Sequence, residues 1–299
     1  MKKHFYLFGS FLMAAMIFVA CGGGDDEPQN SVPAPITVGY ELPAPKGGSS
    51  IVITHYGTLN EKSGQTGANY SVEWDTQRRA QRWSACKMCK SLNVANVSRY
   101  DKSHTVDKTL SVSTGTYPND PDLPAQYHFT SDPYWGKYDH GHIIASQDRV
   151  CSEQANRQTF YMTNMQPQGN KFNAGIWANM ESQVRTWASR YDTLYVCKGG
   201  TIDEGTVDGN NKVYGYIGSG NNQIPVPRYF FMAIVGRKGN VFKATGFWID
   251  QFSYSSSTLR NYAISISELQ KKTGIDFFYS LPDNIENQVE TSSPYDGWY

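Results

Sequence analysis

Three short blocks in the middle of the chain hold side chains suited to hydrolysis. They are Asp139-His140-Gly141-His142, Asn164-Met165-Gln166-Pro167-Gln168, and Asn173-Ala174-Gly175-Ile176-Trp177 running on to Glu181 and Arg185. Opening a phosphodiester requires an activated water, compensation of the charge that builds on the phosphate oxygens, and help for the departing oxygen. A neutral imidazole takes a proton from water near pH 7, which suits His142. Gly141 beside it permits close backbone approach. A divalent cation polarises the phosphate and stabilises the leaving oxygen. Magnesium keeps several waters and takes few protein oxygens, so one carboxamide, that of Asn173, is a sufficient anchor. A two-metal site would need a carboxylate cluster, which these blocks do not supply.

A helix from Phe172 to Tyr191 is predicted by the apolar spacing of Ile176, Met180, Val184 and Trp187. It places Asn173, Trp177 and Glu181 on one face, with Asn173 and Glu181 about 12 Å apart along the axis. At that separation Glu181 orients waters around a metal rather than ligating it. Arg185 follows one turn later and faces either the scissile phosphate or the helix surface. Taken singly, each residue has a plainer role. His142 would be a structural histidine, Asn173 a helix N-cap, Glu181 a surface charge, Asn164 a turn residue and Trp177 core. Their joint spacing favours the chemical reading.

Together the blocks resemble the DNA/RNA non-specific endonucleases of the ββα-metal (His-Me finger) type. The signature of that family runs Asp-Arg-Gly-His, Asn-x-x-Pro-Gln, then Asn-x-Gly-x-Trp with a downstream Glu. The similarity covers roughly Ile51 to Leu281. It implies an α+β fold, with a central antiparallel sheet flanked by helices. It also implies catalytic roles for His142, Asn164 and Glu181, to which Arg185 is added as a candidate from its helix position, and Asn173 as ligand of a single Mg²⁺, with Mn²⁺ as an alternative ion. The implied substrates are DNA and RNA, cut internally to 5′-phosphorylated products. Cleavage without sequence choice agrees with the lack of a base-reading motif, since phosphate contacts carry no sequence information.

His140 departs from the pattern, standing where the family has arginine. Arginine brings a permanent charge and a planar fork, whereas histidine is single-pronged and partly charged near neutrality. His140 is therefore a candidate phosphate contact of reduced strength. The stretch Thr114 to Gly136, a long irregular loop, offers no second arginine, which leaves Lys137, His128 or Arg185 as substitutes. A second reading follows: a catalytically weakened lipoprotein of the same fold that binds nucleic acid through Arg78, Arg79, Arg82 and its many aromatics.

The elements that must position these blocks are partly readable. Lys and Arg total 27 against 27 Asp and Glu, so attraction to phosphate must come from local patches. Hydrophobic residues at 39% and aromatics at 14% suffice for the core of one large domain. Strands are predicted at Ile51–Tyr56, Tyr70–Trp74, Thr159–Asn164, Pro227–Val235 and Val241–Ile249, with a short helix over Ser265–Gly274. At the start, Lys2 and Lys3 precede an apolar run from Phe5 to Ala20 that is too short to span a bilayer and reads as a signal peptide. Val19-Ala20-Cys21 resembles a lipobox, which implies acylation of Cys21 and anchorage to the cell envelope, and the acidic run Asp25-Asp26-Glu27 after it resembles a surface-export tether, which implies an outer-membrane position facing outward. The expected organisation is a signal peptide over 1–20, a tether over 21–49, the endonuclease domain over 50–285 and a peripheral tail over 286–299. Cys86, Cys89, Cys151 and Cys197 then form an even set, for which Cys86–Cys89 with Cys151–Cys197 is the preferred pairing.

Overall fold

The computed structural model describes residues 34–100, 117–134, 136–295 and 297–298. The signal segment and Cys21 lie outside the described residues. In chain order the strands β1 (Ser50–Asn60), β2 (Gln65–Asp75) and β3 (Ala80–Met88) open the fold. Next come β4 (Asp139–His142), helix α1 (Glu153–Gln158), β5 (Met165–Gln168), a helical segment from Asn170 to Ala188, and β6 (Thr193–Gly200). Two small hairpins follow, β7 (Thr206–Val207) with β8 (Asn210–Asn211), and β9 (Val213–Ile217) with β10 (Ile224–Pro227). The chain closes with β11 (Tyr229–Lys238), β12 (Val241–Asp250), β13 (Ala263–Ile264) and two further helices.

Seven strands form one antiparallel sheet in the order β1-β2-β3-β6-β11-β12-β13. Its middle strands are buried on both faces, which is why β11 reads as the near-continuous apolar run Tyr-Phe-Phe-Met-Ala-Ile-Val. Alternation sends Phe230, Met232 and Ile234 to one face, and Tyr229, Phe231, Ala233 and Val235 to the other. The first face packs against Ile143, Ile144, Met165, Phe172, Ile176, Trp177 and Val184. These come from the residues just after β4, from β5 and from the helical segment after it, so the chemistry-bearing blocks are carried on one layer of a three-layer molecule. The second face is covered by Ile266 and Leu269 of the penultimate helix (Ile266–Thr273) and Val289 of the last (Asp283–Thr291). Ser265 caps the former by accepting from Glu268 N, and Gly274 ends it at φ 74.

Several expectations change. Residues 36–49 are not a tether: Ile36 bridges Gly67, Tyr40 and Leu42 pack on the second core, and Glu41 is buried. The tail is not peripheral either, because Trp298 is buried against Trp187 and Tyr191. Thr159–Asn164 forms a turn and one 3-10 turn, and the strand begins at Met165. The arginines of 77–90 are not an open basic face. Arg82 ion-pairs with Asp75 and with Asp203, the latter at 2.7 Å, and Arg79 donates to the carbonyls of Tyr127 and His128. Neither expected disulfide forms, and all four cysteines are free thiols. Cys86 points to the first face while Cys197, opposite Ala85, points to the second; Cys89 and Cys151 meet in a separate small cluster.

Candidate active site

β4 and β5 pair with His142 opposite Met165 and Gly141 opposite Gln166, and the chain turns directly from β5 into the helical segment. That segment is not one regular helix. A three-residue helical turn, Asn170–Phe172, leads into a π turn over Asn173–Trp177, and regular helix runs only over Ala178–Ala188. The π turn starts at Asn173, and such bulges often mark functional sites. It also removes the simple four-residue register from Asn173 to Glu181.

A cleft of about 380 Å³ opens over this motif, lined by Arg99, Tyr117, Asp132, Tyr134, Gly136, Tyr138, Asp139, His140, His142 and Asn173. Within it His142 is held from three sides. Its Nδ1 lies 3.3 Å from the His140 carbonyl, its carbonyl accepts from Trp177 Nε1 at 3.3 Å, and Phe160 meets its ring edge-on at 4.8 Å. Assigning the proton to Nδ1 leaves Nε2 as a lone-pair acceptor, and that atom is buried without a hydrogen-bond partner. Burial, reinforced by the charge of Arg99, pushes the His142 pKa down to about 3.

Asn173 is oriented by Asp139, whose Oδ2 accepts from the side-chain amides of both Asn170 and Asn173 at 3.0 Å. With its NH₂ so engaged, the Asn173 carboxamide oxygen is the end left for a ligand. A neutral oxygen beside a carboxylate, on the cleft wall shared with His142, is a donor set that suits a hard cation retaining its waters.

The sequence profile of the family described as DNA/RNA non-specific endonuclease matches residues 48–284. The chain belongs to that family. Among its relatives, Nuclease C1 of Cunninghamella echinulata var. echinulata is 31% identical over 62% of this chain and 77% of its own length. A nuclease of Nostoc sp. is 26% identical over 74% of this chain and 75% of its own. Human mitochondrial nuclease EXOG is 24% identical over 71% of this chain, which spans 56% of that protein. A solved structure, the EndoG/EndoGI complex described for the mechanism of EndoG inhibition, matches with a TM-score of 0.60 at 22% identity, over 75% of this chain and 89% of that one. The fold is thus the ββα-metal nuclease fold, and the enzyme is a nucleic-acid-hydrolysing endonuclease of a divalent-metal-dependent family.

The remaining residues of the endonuclease sort differently from their sequence roles. Asn164 is fully buried, and its carboxamide is engaged by backbone: Oδ1 accepts from Ile144 N at 2.9 Å, while Nδ2 donates to Ile144 O and Thr159 O. It therefore holds the segment that leaves His142. Glu181 and Arg185 do not line the cleft. Arg185 pairs with the buried Asp148 at 2.8 Å, and Lys198, wholly buried on β6, reaches the other Asp148 oxygen at 3.1 Å. Glu181 adjoins this network; burial lifts its pKa to about 7 against the pull of Lys198, with the Asp148 charge adding to the rise. Burial also pushes Asp148 upward, but Lys198, Arg185 and Arg149 outweigh it and hold that carboxyl below its ordinary range.

His140 is clamped rather than open. Its Nε2 lies 3.0 and 2.9 Å from the two oxygens of Asp132, and its ring is sandwiched by Tyr117 at 3.8 Å and Tyr134 at 4.3 Å. Sequence reasoning missed Asp132, Lys198 and Asp148. It also missed Arg99, the one arginine among the described lining residues, which sits over Phe160 at 4.8 Å. Arg99 lies upstream of the stretch Thr114–Gly136 in which a second arginine was sought, and no local motif marks it.

Proposed function

We propose that the endonuclease cuts DNA and RNA internally by single-metal hydrolysis with His142 as general base. The observation that carries this is the unpartnered Nε2 of His142, on a ring kept neutral by burial, in the same cleft as Asn173. Asn173, oriented by Asp139, would hold the Mg²⁺, which when bound supplies positive charge to the phosphate and to the departing 3′ oxygen. His142 takes the proton from water at Nε2 while its Nδ1–H stays on the His140 carbonyl. Arg99 contributes a permanent cation at the cleft wall, the role for which sequence reasoning had sought an arginine. Asn164, Trp177 and Glu181 are positioning residues, with Glu181 acting through the Trp177 indole beside it. Arg185 acts through Asp148 rather than at phosphate.

In the same reading, Cys21 carries lipid and tethers the endonuclease to the outer membrane. The support is the Phe5–Ala20 run ending at Val19-Ala20-Cys21. Nicking of supercoiled plasmid tests the chemistry. Wild type should cut with Mg²⁺ and not with EDTA, and His142→Ala should lose about 10²- to 10⁴-fold. Equal rates for the two proteins would remove His142 from the mechanism.

A further inference from the structure

Away from the cleft, His55 on β1 sits in an arrangement that the nuclease reading does not use. Its side chain is fully buried, between Tyr70 at 4.5 Å and Tyr161 at 5.3 Å between ring centroids. Nε2 lies 3.1 Å from Asp120 Oδ2 and Nδ1 lies 3.3 Å from Asp122 Oδ2, yet neither ring nitrogen makes a hydrogen bond. The carboxylates are thus near the ring without lying along its N–H directions. A buried imidazole with no hydrogen-bond partner at either nitrogen is costly unless something else engages it.

The carboxylates are held where they are by the backbone around them. Asp120 is wholly buried; its Oδ1 accepts from Asp122 N at 3.0 Å and its Oδ2 from the Thr163 hydroxyl. The His128 ring nitrogen Nε2 meets the carbonyls of Asp120 and Leu123, and Asn119 exchanges two hydrogen bonds with Phe129. Asp122, by contrast, is 58% exposed at its side chain and leaves a way in from solvent. One ligand atom from each of His55, Asp120 and Asp122 lies within 4.8 Å of the others.

We infer that His55, Asp120 and Asp122 form a second divalent-cation site, distinct from the one at Asn173 and selective for a borderline transition metal such as zinc. One imidazole and two carboxylates are a zinc-type donor set, with water left to complete four-coordination, whereas magnesium prefers oxygen alone. A cation there would tie β1 to the segment that carries Tyr117, the residue stacked on His140. Its role is structural: it would anchor one wall of the cleft without touching substrate.

Zinc itself is the probe. The Asn173→Ala protein, stripped of metal and then equilibrated with zinc, is passed through gel filtration and its bound zinc counted. The same is done after adding Asp122→Asn, at an exposed position chosen to spare the fold, and after adding His55→Gln. The expected result is one fewer zinc per chain, or an affinity lower by roughly tenfold or more, in both added variants. Thermal unfolding should also shift upward with zinc in the Asn173→Ala protein and not after Asp122→Asn. Zinc uptake that Asp122→Asn leaves unchanged would place the metal elsewhere, at the thiols or the exposed acidic group Asp276, Glu286 and Glu290, and would overturn the assignment. So would no uptake at all.

Discussion

The most consequential single group is the His142 imidazole, because its basicity has been traded for availability. An ordinary histidine, at 6.5, is half protonated near neutrality, but burial and then Arg99 lower His142 to about 3, so its Nε2 lone pair is present throughout the working range. A phosphodiester anion entering beside it opposes the effect of Arg99 and raises the pKa in the complex. The acid limb of kcat should therefore lie at higher pH than that of kcat/KM, since the first reports the complex and the second the free enzyme. Coincident limbs near 6.5 in both profiles would show that His142 is not buried in this way. Arg99→Ala should move the kcat/KM limb upward while lowering the rate by about 10²-fold, and, because Arg99 is exposed, leave Tm nearly unchanged. A loss confined to Tm would mean that Arg99 only braces Phe160.

The element that turns these residues into a site is the β4–β5 hairpin with the π turn behind it. Gly141 is where the hairpin is tightest: a Cβ there would fall 2.4 Å from the side chain of Gln168, itself buried on β5. Gly141→Ala should cost about 1–3 kcal/mol of stability by overpacking and displace His142, so that activity falls further than Tm implies. Full activity with only a small change in Tm would show that the hairpin has slack. What the sequence made legible here was local. The Asn and His spacings, the apolar periodicity of Ile176, Met180, Val184 and Trp187, the Ser265 cap and the Gly274 stop each depend on neighbours in the chain. What stayed hidden depends on partners far along it. Trp177, which ends the π turn, packs on Phe230 of β11, the burial of Trp298 involves Trp187, and Arg99 reaches the cleft only through the fold. Asn164 shows the same limit from the other side: its spacing matched the signature, but only the structure shows its amide engaged by Ile144 and Thr159.

Across the whole molecule, balanced net charge conceals an interior that is strongly charged. Asp148 and Lys198 are both fully buried, and Arg185 closes on them from the helix Ala178–Ala188. Asp148→Ala strands a buried ammonium and should destabilise the fold by about 3–5 kcal/mol, read in chemical denaturation. Glu181, beside this group, makes the network sensitive to pH in a direction that can be isolated. Its carboxyl is raised from an ordinary 4.5 to about 7, so the folded protein holds a proton that the unfolded chain releases. The resulting stability is fully present below about 4.5 and is lost as pH rises through about 7. His142 works oppositely: being lowered, it makes the folded state less stable as pH falls below 6.5. Glu181→Gln removes the first effect and keeps the second. Measured in EDTA, the difference in Tm between Glu181→Gln and wild type should therefore move in favour of the variant as pH climbs from about 4.5 to 7, then level off. A difference that stays constant across that range would show that Glu181 titrates like a surface carboxylate and that burial does not hold its proton.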